Sequence, residues 1–294
     1  MDKTPIRTKF VKQLVRVNDQ LCFAALGRHE FGRALSELVR ASPKEFTTAA
    51  FAGNPYAKRL YRQMADMPDF AIKSEQTELQ MGVIAGVEYA LAYFDEIEAF
   101  RALAKPSEAD VVRADAPEDQ LFAKMSRWLG CEPEKGPYRS LGYLRLLRNH
   151  YAHVNDDPSP AFASFVAKHA HHLQRYWDNG ITDLGAISFR SLPHDALTAE
   201  YAFAIMNLLR VSVEKIDRDF ASTLEFDDVL NLVAAEAYES AAHHDRAPER
   251  LTSRVRSDLE LGYGERFDVT RVRAGVDAFL SHRRSQKAKQ RGQT

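Results

Sequence analysis

Hydrophobic residues recur every three or four positions along almost the whole chain, which is the pattern of amphipathic helices. Gly27 is expected to end the first helix, and a second short helix follows over residues 31–38. The dipeptides Ser42-Pro43 and Asn54-Pro55 each pair a capping residue with a proline, so each predicts a further helix start. Over residues 6–26, one face carries the apolar residues Phe10, Leu14, Val17, Leu21 and Ala25.

The longest predicted helix spans residues 73–104 and could form the backbone of a helical bundle. Gly82 and Gly86 weaken the prediction in its first half, because glycine destabilises a helix interior. The helix also carries four acids, which we expect on a solvated face; alternatively, they orient an Arg or His from another helix. Its apolar residues are Met81, Ile84, Val87, Leu91, Phe94, Ile97 and Phe100, and its acids are Glu88, Asp95, Glu96 and Glu98.

The rest of the chain is also predicted to be helical, apart from polar or proline-bearing loops. Gly and Asp interrupt a short candidate strand at residues 181–189. The predicted fold class is therefore all-α, with no internal repeat and no strict heptads. Its remaining helices are expected at about 118–129, 137–154, 162–176, 197–221, 227–242, 251–261 and 269–280.

Composition and charge exclude several classes of protein. The chain has 294 residues, of which 45% are hydrophobic, and no apolar run approaches the ~20 residues of a membrane span. The first ten residues lack the apolar stretch of a secretory signal. Cys22 and Cys131 form no CxxC or disulfide framework, so we expect inert packing residues in a reducing cytoplasm.

Residues 144–157, L-R-L-L-R-N-H-Y-A-H-V-N-D-D, combine an apolar helical face with basic side chains. Arginine can hold a phosphate through two hydrogen bonds, and histidine can move a proton near neutral pH. Arg148, Asn149 and His153 therefore form a candidate site for phosphate chemistry near the end of a helix. The competing interpretation is an ordinary amphipathic helix with Arg and His on its exposed face.

The spacing within this candidate site constrains how it could work. Arg148 and His153 are five residues apart and point ~140° from each other around a helix. Asn149 and His153 are four apart and share a face. Arg148 and His153 can meet one substrate only if the helix frays or another surface, most simply a second copy of the chain, completes the site.

The segment Arg148-Asn149-His150-Tyr151-Ala152-His153 resembles the R-x4–6-H motif of the HEPN superfamily, whose Arg is often followed by Asn. The resemblance implies an HEPN-like helical bundle, within about residues 70–220, with additional N- and C-terminal helices. Many HEPN domains are metal-independent ribonucleases of toxin–antitoxin, abortive-infection and CRISPR systems. Their motif residues face each other across a dimer cleft. Arg145 and His150 also fit the spacing, but the Asn after Arg148 favours the second copy.

The resemblance implies a role for each motif residue. His153 would be the general acid or base, Arg148 would stabilise charge on the phosphate, and Asn149 would orient either group. Arg145, His150 and Tyr151 are the candidate substrate-binding residues. No cofactor or metal is expected. The expected partners are RNA, a second copy of the chain and an antitoxin or regulatory protein, and no membrane is expected.

Two other functions remain open from the sequence. A non-catalytic HEPN-like module could bind RNA, a nucleotide or a protein through the same residues. A metal-dependent enzyme could use His169, His171 and His172, although no HExxH or CxxC supports it. The pair His243-His244 followed by Asp245 is a weaker metal candidate.

The domain limits expected from the pattern are 1–70, 71–222 and 223–294. The net charge is −1, but residues 281–294 carry five basic and no acidic residues. Such a tail could add salt-dependent affinity for a phosphate backbone. The alternative that we favour is that residues 281–294 form a solvated, disordered end.

Overall fold

The structure, a computed structural model, describes residues 1–105, 114–153, 157–179, 184, 187–190, 197–242 and 247–291. Within these ranges it contains helices and no β-strand, which confirms the all-α class. The α-helices are α1 (Pro5–Ala41), α2 (Thr47–Ala50), α3 (Ala57–Leu60), α4 (Met67–Ala104), α5 (Pro117–Leu129), α6 (Lys135–Ala152), α7 (Pro160–Asp178), α8 (Ala199–Ser222), α9 (Phe226–Ser240), α10 (Pro248–Tyr263) and α11 (Val269–Arg291). A 3₁₀ turn, Met64–Asp66, precedes α4. None of the helices described is both long enough and apolar enough to cross a membrane.

Several predicted helix limits were wrong in the N-terminal quarter. α1 continues through Gly27 to Ala41, where two helices were expected. Both Gly27 and Gly32 have open space where a Cβ would lie, so no packing requires a break. Ser42-Pro43 starts no helix, and the next one begins at Thr47. Asn54-Pro55 does precede a helix, because Asn54 Oδ1 accepts from the N–H of Tyr56 just before α3.

The chain divides into two compact units, each built from separated stretches. The first unit comprises Met1–Lys12, Ala90–Leu141 and Arg210–Thr294, and the second comprises Gln13–Tyr89 and Gly142–Leu209. Long helices such as α4 contribute residues to both units. The domain limits expected from the sequence remain a prediction.

In the second unit, two glycines let α4 pack closely against its neighbours. A Cβ on Gly82 would lie 2.8 Å from Leu21 Cδ2, and one on Gly86 would lie 2.9 Å from Leu209 Cδ1. α4 is nevertheless unbroken from Met67 to Ala104. The glycines that weakened the helix prediction therefore occupy packing contacts.

A buried polar network anchors the start of the chain within the first unit. The fully buried Asp217 accepts hydrogen bonds from the N–H of Thr4 at 2.8 Å and from the Tyr93 hydroxyl at 3.0 Å. The Thr4 hydroxyl donates to the same carboxylate. Burial raises the pKa of Asp217, because a charged carboxylate is poorly solvated there.

The described part of the basic tail, residues 281–291, is helical, which corrects the expectation of a disordered end, while most of its described side chains are exposed as expected. α11 runs to Arg291 and packs with α9 and α10. Arg283 donates to Glu239 at 2.6 Å and lies over the ring of Tyr238. Cys22 and Cys131 are both exposed free thiols, so the expectation that they are packing residues was wrong.

Candidate functional site

Most of the motif residues lie on α6, and the apolar face of this helix packs within the second unit. Leu144 and Leu147 are fully buried, and the ring of Tyr143 packs edge-on against Phe162 and Phe189 at 5.3 and 5.1 Å. α6 ends at Ala152, slightly before the predicted end near Val154. Residues 154–156 lie outside the described ranges. Arg148 and Asn149 thus project from the last turns of a well-packed helix, and His153 is the first residue after it.

Arg148 is held by two oxygen atoms. Its Nη1 donates to Asn149 Oδ1 at 2.8 Å, and its Nη2 forms an ion pair with Glu88 Oε1 on α4. The side chains of Arg148 and Glu88 are 30% and 45% exposed, so solvent reaches the pair. Glu88 therefore contacts Arg148 as in the alternative in which an acid of α4 orients the motif Arg, and its side chain is still partly solvated.

His153 lies one helical turn beyond Asn149. Its backbone N–H donates to the carbonyl of Asn149 at 3.1 Å, and its side chain is exposed. Among the described residues, no hydrogen bond or ion pair joins the side chains of His153 and Arg148. One chain therefore brings together Arg148, Asn149 and Glu88, and leaves His153 open to solvent.

The three candidate substrate-binding residues have different environments. Arg145 and His150 are partly buried, and His150 Nδ1 has no hydrogen-bond partner among the described residues. The Tyr151 ring lies 5.6 Å from the ring of His150. Burial and the nearby Tyr201 raise the pKa of Tyr151, so its phenol stays protonated at neutral pH.

A cationic cluster lies around His171 in the same unit and combines Arg175 of α7 with Arg190, which lies after the helix. The sequence pattern did not identify the two arginines as part of a site. Arg175 Nη2 lies 3.2 Å from His171 Nε2, and Arg190 Nη2 lies 3.4 Å from His171 Nδ1. Gln174 positions Arg190, because its side-chain oxygen accepts from the N–H of Phe189 at 3.1 Å. The i,i+4 spacing of His171 and Arg175 was readable from sequence, but the approach of Arg190 depends on a loop.

The histidine groups show no metal-binding arrangement in the part of the chain that the structure describes. No three His, Cys, Asp or Glu side chains converge there. The His169 ring packs against Phe165 at 4.8 Å. The His243-His244-Asp245 candidate lies outside the described residues.

No family model, curated protein or solved structure matches this chain. The motif residues and their surroundings therefore carry the functional proposal.

Proposed function

We propose that the chain is a metal-independent endoribonuclease of HEPN type, with an HEPN-like bundle around α4, α6, α7 and α8. The observation that carries the proposal is the geometry at the end of α6. Arg148 is oriented by Glu88 and Asn149, and an exposed His153 follows one turn later. A fixed cation and a proton-transfer group on one helix end suit cleavage of a phosphodiester.

The reaction consistent with these groups is an internal transesterification. The RNA 2′-oxygen attacks the adjacent phosphorus, a base removes the 2′-proton, and the bond from phosphorus to the 5′-oxygen breaks. The leaving oxygen takes up a proton. The products are a 2′,3′-cyclic phosphate and a 5′-hydroxyl. His153 serves one of the two proton transfers, and Arg148 stabilises the negative charge that develops on the phosphorane.

A second copy of the chain supplies the opposite wall of the proposed site. Arg148 and His153 would point ~140° apart on a regular helix, and the N–H of His153, one residue beyond the end of α6, still bonds to the carbonyl of Asn149. We therefore expect that one chain does not present both side chains to the same phosphate. Two copies related by a twofold axis would place Arg148 of one protomer near His153 of the other. The exposure of His153 is consistent with a site completed in this way.

The cationic cluster around His171 supports RNA as the substrate. Arg175 and Arg190 contact the His171 imidazole, and no carboxylate among the described residues pairs with either guanidinium. Such arginines retain their positive charge for the phosphate backbone. The overall charge of −1 is therefore compatible with a locally basic RNA-binding surface.

A non-catalytic module is the second candidate, and the Glu88–Arg148 ion pair is the observation that favours it. The carboxylate offsets the charge of the one arginine that the reaction requires. Arg148 would then support the fold, a dimer contact or RNA binding. A defence or toxin role in the cytoplasm, with an antitoxin or regulatory protein as partner, belongs to either version of the proposal.

The proposed nuclease is tested by RNA cleavage in EDTA with purified wild type, Arg148→Ala and His153→Ala. We expect wild-type cleavage, and rates at least ~100-fold lower in both variants. Arg33→Ala and His29→Ala remove the same residue types from an exposed stretch of α1 and should cleave at the wild-type rate. Loss of wild-type cleavage in EDTA, or full activity of both motif variants, would exclude this mechanism. RNA binding without cleavage would favour the module.

A further inference from the structure

A separate pocket lies in the second unit, between the second half of α1, α2, α3 and the start of α4. Its volume is about 310 Å³, which is within the range of small-molecule sites. None of the motif residues lines it. Most of its lining is apolar, and it adjoins a small buried cluster around Leu35, Met64 and Met67.

The walls of the pocket are held in place by a buried threonine. Thr47 donates its hydroxyl hydrogen to the carbonyl of Ala57 at 3.1 Å, and its oxygen accepts from the N–H of Arg62 at 3.2 Å. The backbone N–H of Thr47 donates to the Arg62 carbonyl at 2.8 Å. The ring of Phe46 stacks on Tyr61 at 4.7 Å. These contacts fix residues 46–62 as one wall of the pocket.

Aromatic side chains form much of the pocket surface and remain accessible. Phe31, Phe51, Tyr56 and Phe70 all line it, and Phe31 and Phe51 pack 6.0 Å apart. Phe31 is 45% exposed, Tyr56 69% and Phe70 41%. Concentrated exposed aromatic surface is unfavourable in water, and a ligand that covers these rings removes that cost.

The charged side of the pocket disfavours an anion. Arg28 is the cation that lines it, and its guanidinium pairs with Glu78, which also lines the pocket, and with Glu75 at 3.4 Å. Arg28, Glu75 and Glu78 together carry a net charge of −1. An anionic ligand would have to displace a carboxylate from Arg28, whereas an uncharged ligand would not.

We propose that this pocket binds an uncharged, largely apolar small molecule, held mainly by the four aromatic side chains. The site goes beyond the proposed nuclease, because it uses a different part of the chain and does not require RNA.

The test is binding of the neutral fluorescent probe N-phenyl-1-naphthylamine to the full-length chain. We expect saturable binding, and a dissociation constant roughly five- to tenfold higher in Tyr56→Ala, which removes one exposed wall. Phe23→Ala removes an exposed aromatic residue of α1 outside the pocket and should bind like wild type. Both side chains are mostly exposed, so both variants should fold. Equal binding by wild type and Tyr56→Ala would overturn the proposal.

A second test fills the pocket with a larger side chain and compares this variant with a matched control. Ala71→Phe places a ring in the lining and should abolish probe binding, whereas Ala52→Phe adds the same ring at an exposed position outside it. The anionic probe 8-anilinonaphthalene-1-sulfonate tests the charge argument. It should bind more weakly than the neutral probe. Tighter anionic binding that is lost in Tyr56→Ala would overturn the proposed ligand class.

Discussion

At the scale of single residues, the environment of Arg148 decides how the candidate site could work. A guanidinium has five N–H donors, and those described here engage Glu88 and Asn149 through the two terminal nitrogens. Glu88 therefore has two opposing effects on a phosphate ligand. It positions Arg148, and it repels the phosphate. Glu88 is a positioning residue in this proposal. Its replacement should therefore change RNA affinity and turnover in opposite directions.

Replacing Glu88 by Gln tests these two effects. The amide keeps an acceptor oxygen for Arg148 but removes the negative charge, so we expect RNA to bind several-fold more tightly, with a steeper salt dependence. Turnover should fall, because Arg148 is held less firmly. Glu98→Gln is the matched control, since Glu98 is on the same helix and pairs with Lys124 instead. Unchanged affinity and turnover in Glu88→Gln would contradict this role.

Asp217 gives a pH-dependent prediction that is independent of RNA. Its raised pKa means that the folded chain holds this proton more tightly than the unfolded chain. The resulting stabilisation is complete below the ordinary value of 3.8 and is lost as the pH rises through the folded-state pKa. We expect the unfolding free energy of wild type to fall relative to that of Asp217→Asn as the pH rises from about 4 towards neutrality.

Urea denaturation of both proteins across this pH range measures the difference. Burial also raises the pKa of Asp219, but this residue is present in both proteins and cancels in the comparison. A difference in unfolding free energy that stays constant, or that grows in favour of wild type with rising pH, would contradict the assignment.

At the scale of elements, glycine shows why helix limits were only partly predictable from sequence. Propensity treats Gly27 and Gly82 alike, as destabilising residues within a helix. The structure separates them, because Gly27 faces open space and Gly82 faces Leu21. Periodicity predicted the all-α class and most of the later helices. It could not predict which glycines pack against another helix, since that depends on residues far away in the chain.

Two alanine substitutions test this distinction. Gly27→Ala should stabilise the chain by about 1 kcal/mol, because it improves helix propensity without a new contact. Gly82→Ala gains the same propensity but forces Leu21 to move, at a cost of about 1–3 kcal/mol, so no stabilisation is expected. Thermal or urea unfolding measures both. Equal stabilisation by the two substitutions would show that α4 does not pack closely against Leu21.

The candidate site was predictable to a similar extent. The order Arg148, Asn149, His153 and its helical spacing were visible in the sequence, whereas a second surface that completes the site remains a prediction. The acid that pairs with Arg148 could not be identified from the sequence, because the four acids of α4 were equally good candidates. Only the ion pair between α4 and α6 in the structure selects Glu88. The contact between Arg190 and His171 was not predicted, because Arg190 lies in a loop whose path the sequence pattern does not give.

At the scale of the whole molecule, the proposal requires an assembly of two copies. If the site combines Arg148 of one protomer with His153 of the other, a mixed dimer of Arg148→Ala and His153→Ala retains one intact site. We therefore expect an equimolar mixture, unfolded and refolded together, to recover about one quarter of wild-type activity, for random pairing of twofold dimers. Each variant refolded alone remains inactive. No recovery in a mixture shown to contain mixed dimers would place both residues in one chain's site.

The central claim is that the 2′-oxygen of RNA attacks its own phosphate at the site built around Arg148 and His153. The most direct test identifies the ends of the products made by wild type in EDTA. The proposal predicts 5′-hydroxyl ends and 2′,3′-cyclic phosphates, both absent when Arg148 or His153 is replaced by Ala, and no cleavage when the attacking 2′-hydroxyl is replaced by hydrogen. Products with 5′-phosphate and 3′-hydroxyl ends, or cleavage of the 2′-deoxy linkage, would contradict it.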